Sequence, residues 1–368
     1  MVASRTIREA EHEFGRRGGL LFTVTIALLV LLLAICAGDA LAQQSGSERA
    51  GASSLRSINV GFVRQAFGIW SAKIADGSFD TATGRTIRWF PHDTDSSLIV
   101  ALSSGRLDIG MVGSSVAASA IARGLDLRIF YVLATAPETE GLVVGPGITL
   151  KPGEAKGLHG KVLAVPFGST AHFQLLATLR RWGASLSSLR IVNLQSSQIG
   201  EAWMRNEIDA AAASEPLLSQ LLQRGHRVPL AASTEHGGVM VFAAPGDFVA
   251  QHVVFLSRFI DVIARADQTL TEVRQQLTQD SAELKPIAFL TGMSPEAVLA
   301  ALGRYRPITL ADQVSPTWLG GGTGAGLLAH LKSVAEVWRW AGRMPGGEPD
   351  LGGAIAIEPA QMALGYQR

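Results

Sequence analysis

Cysteine is nearly absent. The 368 residues hold one, Cys36, inside an N-terminal apolar run. A disulfide framework and a cysteine-based zinc cluster are therefore excluded. If the N-terminus is removed, a cysteine nucleophile and a thiol-held dipyrromethane go with it. An excess of one charge is also missing: 32 Lys and Arg against 31 Asp and Glu leave a net charge of +1. No basic field draws the chain to nucleic acid or to an anionic membrane surface. The signatures of common enzymes are lacking too. There is no G-x-S-x-G elbow, no G-x-x-x-x-G-K-[ST] loop and no H-E-x-x-H pair. "GGGTGAG" (320–326) follows "SPTWL" rather than a strand, which argues against a phosphate loop. Ser169 and His172 could be drawn as nucleophile and base, but no third group orients them. The expectation is a non-enzyme with no cofactor and no metal.

What is present begins with a secretion signal. Arg16 and Arg17 precede "LLFTVTIALLVLLLAICA" (Leu20–Ala37), and Ala40-Leu41-Ala42 is an A-x-A cleavage pattern. Residues 1–42 read as a signal peptide cut after Ala42. An uncleaved anchor is the alternative, since the run is nearly long enough to span a bilayer. Either way the working protein lies outside the cytoplasm. Residues 43–56 read as a flexible lead-in.

The rest repeats itself at an offset of about a hundred residues. "SINVGF" (57–62) corresponds to "GKVLAVPF" (160–167), and "RTIRWFP" (85–91) to "SLRIVNLQ" (188–195). "SGRLDIGMVGSS" (104–115) corresponds to "RNEIDAAAASEP" (205–216), with Leu107-Asp108 answering Ile208-Asp209. Helical patterns lie between: Trp70–Phe79 and Leu98–Ser104, then Thr170–Trp182 and Gly200–Arg205. The order predicts an α/β fold of two similar Rossmann-like lobes with mainly parallel sheets. Lobe 1 is assigned to 57–144 plus 239–345 and lobe 2 to 145–238, with the hinge near Val144 and Val239. The segment 346–368 is expected to be a loosely packed tail.

Parallel sheets bind ligands where strands run into helix N-termini, so two facing lobes make one cleft. "VPFGSTAHF" (165–173) puts Ser169, Thr170 and His172 on such a turn. Its unpaired N–H groups and hydroxyls can hold an anion with little formal charge. "MVGSS" places Ser114 and Ser115 at the matching point of lobe 1, and Gln65 follows the first strand. Each Ser or Thr can instead be a plain helix cap, and His172 a structural hydrogen-bonder. Ser294 before Pro295 reads as a cap in "LTGMSPEAV". Trp338 and Trp340 cannot both face inward on one helix.

These segments resemble the taurine and aliphatic-sulfonate substrate-binding proteins of ABC importers. "LSSGRLDIGMVGSS", "LHGKVLAVPFGSTAHFQLLATLRRWG", "RIVNLQSSQIGEAWMRNEIDAA" and "LTGMSPEAV" are similar to family motifs in the family's order. The resemblance implies a bilobed periplasmic-binding-protein-like fold of type II and a monomer in the periplasm. It implies capture of a small sulfonate or similar anion and delivery to an ABC permease. It points to Ser114, Ser115, Ser169, Thr170 and His172 as ligand contacts. Two departures bear on the ligand. Ser214-Glu215-Pro216 stands where the family has W-x-P, and Met240 where taurine-type proteins have an aspartate. Ser214, Glu215 and Met240 therefore complete the candidate pocket. The loss of that aspartate favours a sulfonate without an amine, unless Glu215 supplies the carboxylate. Glu215 can also serve as a local backbone bonder. A nitrate, thiamine-precursor pyrimidine or aromatic carboxylate in the same fold is the alternative ligand.

Overall fold

The computed structural model describes residues 56–64, 68–135, 140–151, 153–215, 217–228, 230, 239–344 and 351–367. The signal segment and Gln65 lie outside the described residues. Residues 57–368 form one compact unit. Its strands are β1 (Ile58–Val63), β2 (Ile87–His92), β3 (Ile109–Gly113), β4 (Leu127–Thr135), β5 (Glu140–Val144), β6 (Val162–Val165), β7 (Arg190–Asn193), β8 (Ala210–Ser214), β9 (His226–Val228), β10 (Val239–Pro245) and β11 (Arg306–Pro307). The helices that matter below are α1 (Asp95–Ser103), α2 (Ser114–Ala122), α3 (Thr170–Arg181), α4 (Ser196–Met204), α5 (Leu217–Leu222), α6 (Val253–Val273), α7 (Leu284–Thr291), α8 (Pro295–Arg304), α9 (Gly326–Trp340) and α10 (Glu358–Gly365).

Two sheets result, in the orders β11-β4-β10-β3-β1-β2 and β7-β6-β8-β5-β9. The block β2-β1-β3-β10 of the first reappears as β7-β6-β8-β5 in the second, which is the repeat read from the sequence. The paired aspartates of that repeat have a structural task. Asp108 accepts from the Asn59 N–H at 2.7 Å, and Asp209 from the Val162 N–H at 2.8 Å. Each pins the start of one central strand to its neighbour. The expectation of mainly parallel sheets is corrected: both are mixed. β1, β2 and β3 are parallel, as are β6, β7 and β8, but β10 and β5 run antiparallel to their neighbours. Those two strands follow the crossings between lobes, so they enter their sheets from the opposite end.

The structure also corrects the placement of β5 and the packing of the tail. β5, assigned to lobe 1, pairs with β8 and β9 in the second sheet. The first crossing therefore lies between Thr135 and Glu140, not near Val144. The described part of the tail, 351–367, is not loose. The Ile129 N–H of β4 donates to the Ala354 carbonyl at 2.7 Å and the Ala356 N–H to the Ile129 carbonyl at 2.9 Å, and Ala360 and Ala363 of α10 are fully buried. Alternating "AIAI" (354–357) suits a strand-like run on an open edge, and alanines let α10 approach closely.

In lobe 2 the period of two sorts the core. Leu163 and Val165 of β6 with Ala210 and Ala212 of β8 pack on one face; Ala164, Ala211 and Ala213 pack on the other against α4 and α5. Lobe 1 is centred on rings: Trp70 meets Phe242 at 5.6 Å and Phe79 meets Phe259 at 4.9 Å, in the offset and edge geometries that rings favour. α3 serves both lobes. Its Ala171, Leu175 and Leu179 belong to the lobe 2 core, and its Phe173, Leu176 and Ala177 to that of lobe 1. On α9, Trp338 is buried and Trp340 lies at the surface, as the divergence of neighbours two apart requires.

Candidate functional site

The two lobes meet at helix N-termini. Gly113 ends β3 and caps α2. A Cβ placed there would lie 2.3 Å from Thr170 Cγ2 of lobe 2. Gly168, just before α3, has φ +76 and would bring a Cβ within 2.9 Å of Ser96 Oγ on α1. Close approach requires glycine at both points, and the positive φ requires it again at Gly168. The first turns of α1, α2 and α3 thus converge at one seam, from both lobes.

Apart from Gln65, each of the expected residues has a definite place. Ser169 is the N-cap of α3: its Oγ accepts from the His172 N–H at 3.1 Å and donates to the Pro166 carbonyl at 2.7 Å. Thr170 donates its hydroxyl to Glu140. His172 is buried, its ring stacked on Phe167 at 4.6 Å. Its Nδ1 accepts from the Gly168 N–H at 3.1 Å, and burial, with Arg343 nearby, lowers its pKa to about 4. The imidazole is therefore neutral and locks the Gly168 turn; it brings no positive charge to the seam. Ser114 Oγ lies 2.7 Å from His330 Nε2 of α9. Ser115 is buried, and its Oγ has no partner among the described residues. Ser214 donates to Glu140 at 3.2 Å. Glu215 turns away to α5, where it accepts from the Ser219 N–H and hydroxyl at 3.2 and 2.9 Å. It is the local backbone bonder that the sequence left open, and its carboxylate is engaged there. Met240 is half-buried on β10, opposite Gly113.

Two carboxylates at the seam were missed. Glu140 opens β5, opposite Ser214, and accepts from Thr170 and Ser214. Burial and the nearby Asp95 raise its pKa from 4.5 to about 7. Asp95, at the start of α1, accepts from the Gly113 N–H at 2.8 Å, and burial raises it to about 6. In the duplicated fold Glu140 and Met240 are counterparts: Glu140 is the first residue of β5 and Met240 the second of β10, and each stands opposite the last residue of a central strand. The carboxylate absent from position 240 stands at its mirror position. "APETEGLVV" contains Glu140 in plain view, but only the register with Ser214 shows its importance. Among the described residues no three His, Cys, Asp or Glu side chains are placed to hold a metal ion.

Comparison with known proteins follows this geometry. The family described as NMT1/THI5 like matches residues 61–275. The chain is 31% identical over 231 residues to the taurine-binding periplasmic protein of Escherichia coli K12, covering 62% of this chain and 71% of that one. It is 24% identical over 264 residues to a putative aliphatic sulfonates-binding protein of the same organism, covering 72% and 80%. Its fold matches the alkanesulfonate-binding protein SsuA of Xanthomonas axonopodis pv. citri, a structure bound to MOPS. The TM-score is 0.66 and the identity 21%, over 82% of this chain and 98% of that one.

Proposed function

Since this chain belongs to the NMT1/THI5-like family and is homologous to taurine- and aliphatic-sulfonate-binding periplasmic proteins, we propose that it is the extracytoplasmic solute-binding component of an ABC importer. It captures a small sulfonate between its lobes as a monomer and delivers it to a membrane permease. The observation that carries this reading is the meeting of α2 and α3 first turns at Gly113 and Thr170. Orphan N–H groups and hydroxyls there suit sulfonate oxygens without a basic side chain. A binding role rather than an enzymatic one agrees with Ser169 and His172, which do not form a nucleophile–base pair: Ser169 Oγ meets the Pro166 carbonyl and the His172 backbone N–H, and the His172 Nδ1 is taken by the Gly168 N–H.

Within the sulfonates, Glu140 reverses the preference drawn from Met240. A ligand ammonium beside its carboxylate would recover the cost of holding that charge in a dry seam. The reading is therefore an aminosulfonate of taurine size, with the sulfonate on the helix N-termini and the ammonium on Glu140. Titration calorimetry of the exported protein with taurine, ethanesulfonate, sulfate, nitrate, benzoate and a pyrimidine tests it. Taurine should bind most tightly; tightest binding of nitrate, benzoate or the pyrimidine would overturn the sulfonate assignment.

A further inference from the structure

His330 lies 216 residues from Ser114 in sequence, yet its Nε2 is 2.7 Å from Ser114 Oγ. Both side chains are buried, 3% and 2% exposed. Ser114 occupies the first turn of α2, one residue past the glycine that Thr170 touches. The same helix grips that turn again: Trp338 Nε1 donates to the Ser115 carbonyl at 3.3 Å, and the Trp338 ring meets His172 of α3 edge-on at 5.1 Å. α9 thus backs both helix N-termini. The neighbouring Ser115 hydroxyl is buried and unsatisfied among the described residues, a costly state that a ligand oxygen would relieve.

A serine hydroxyl has one proton, and the imidazole decides where it goes. With Nε2 bare, Ser114 donates to His330 and shows a ligand only lone pairs, which repel an anion. With Nε2–H, His330 donates and the serine proton is free. We propose that His330 is a positioning residue for anion binding: it donates Nε2–H to Ser114 Oγ and so frees the Ser114 hydroxyl for a ligand oxygen. The proposal rests on the reading that a sulfonate sits at the first turn of α2.

Two measurements test it on the exported protein. Nitrogen-15 NMR of histidine-labelled, ligand-free protein, with His330 assigned by its loss in H330Q, should show Nε2 protonated. A bare Nε2 overturns the proposal whatever the ligand. Calorimetry with taurine and with ethanesulfonate then compares wild type, S114A, H330Q, H330L and the double variant S114A/H330L. One hydrogen bond to a charged group is worth roughly tenfold or more in affinity. S114A and H330L should each lose about that much, and the double variant no more than either, since they break one unit. H330Q, whose amide still donates, should stay within about threefold of wild type. Losses that multiply in the double variant, or an H330L that melts earlier but binds normally, overturn the proposal. If neither sulfonate binds wild type, the functional reading fails, and the tautomer alone decides the role of His330.

Discussion

Glu140→Gln removes one charge from the seam and little else. The glutamine carbonyl can still accept from Thr170 and Ser214, so the fold should hold its melting temperature. The free carboxylate is expensive to ionise: its rise from 4.5 to about 7 corresponds to roughly 3 kcal/mol against the charged form. A bound ammonium offsets that by pairing with it in a site shielded from water. Losing such a charge-assisted bond costs about 2–3 kcal/mol, or roughly 30- to 150-fold in taurine affinity at pH 8. Ethanesulfonate, which has no ammonium and is repelled by the carboxylate, should bind the variant at least as well as wild type. The pH profile carries the sign. In the taurine complex the ammonium lowers the Glu140 pKa below its free value, so binding below about pH 7 expels a proton. Wild-type affinity for taurine should fall toward tenfold per unit as pH drops below 7, with Asp95, at about 6, adding to the effect at the lower end. In the variant the slope should flatten above pH 6. Calorimetry at pH 5.5, 7 and 8 reads all of this. Undiminished taurine affinity in the variant, or a flat wild-type profile, would refute the ammonium assignment.

Gly113→Ala should weaken every sulfonate by blocking the approach of Thr170 Cγ2, and adding Thr170→Ser, which deletes that methyl but keeps the hydroxyl, should restore binding; no rescue would sink the contact as the cause. Ser169→Ala removes the cap on the His172 N–H and should cost about 1 kcal/mol of stability in chemical unfolding; a large loss of affinity at unchanged stability would instead make Ser169 a ligand contact. Asp267 is buried, and burial raises its pKa to about 8. Its neutral form is favoured in the fold, so this contribution is fully present below pH 3.8 and declines as pH rises through 8, by up to about 1.4 kcal/mol per unit. Asp267→Asn, whose carbonyl still accepts from Tyr305, should melt with a shallower dependence between pH 5 and 8, and identical slopes would refute it. Edman sequencing of exported protein should start at Gln43; a retained Met1 in the membrane fraction would mean an anchor.

The sequence by itself determined the duplicated plan, because strand and helix periodicities are local and survive divergence. It placed α3 at Thr170, with Ser169 before it, and Ser294 as the cap of α8. It pointed to the first turns of α2 and α3 as the candidate edge, since helix N-termini carry their orphan donors wherever they go. Only the tertiary structure decided which hydroxyl is spent and which is free. Ser169 closes on its own turn, Thr170 and Ser214 converge on Glu140, and Ser114 meets His330. Strand register put Glu140 opposite Ser214, and no local pattern encodes a register between strands that lie 74 residues apart. The direction of β5 and β10, and the docking of the 351–367 segment on β4, likewise depend on what remains exposed after the other strands have paired. A side chain's neighbours along the chain set its conformation; its charge, its proton and its partner come from groups that only folding brings within reach.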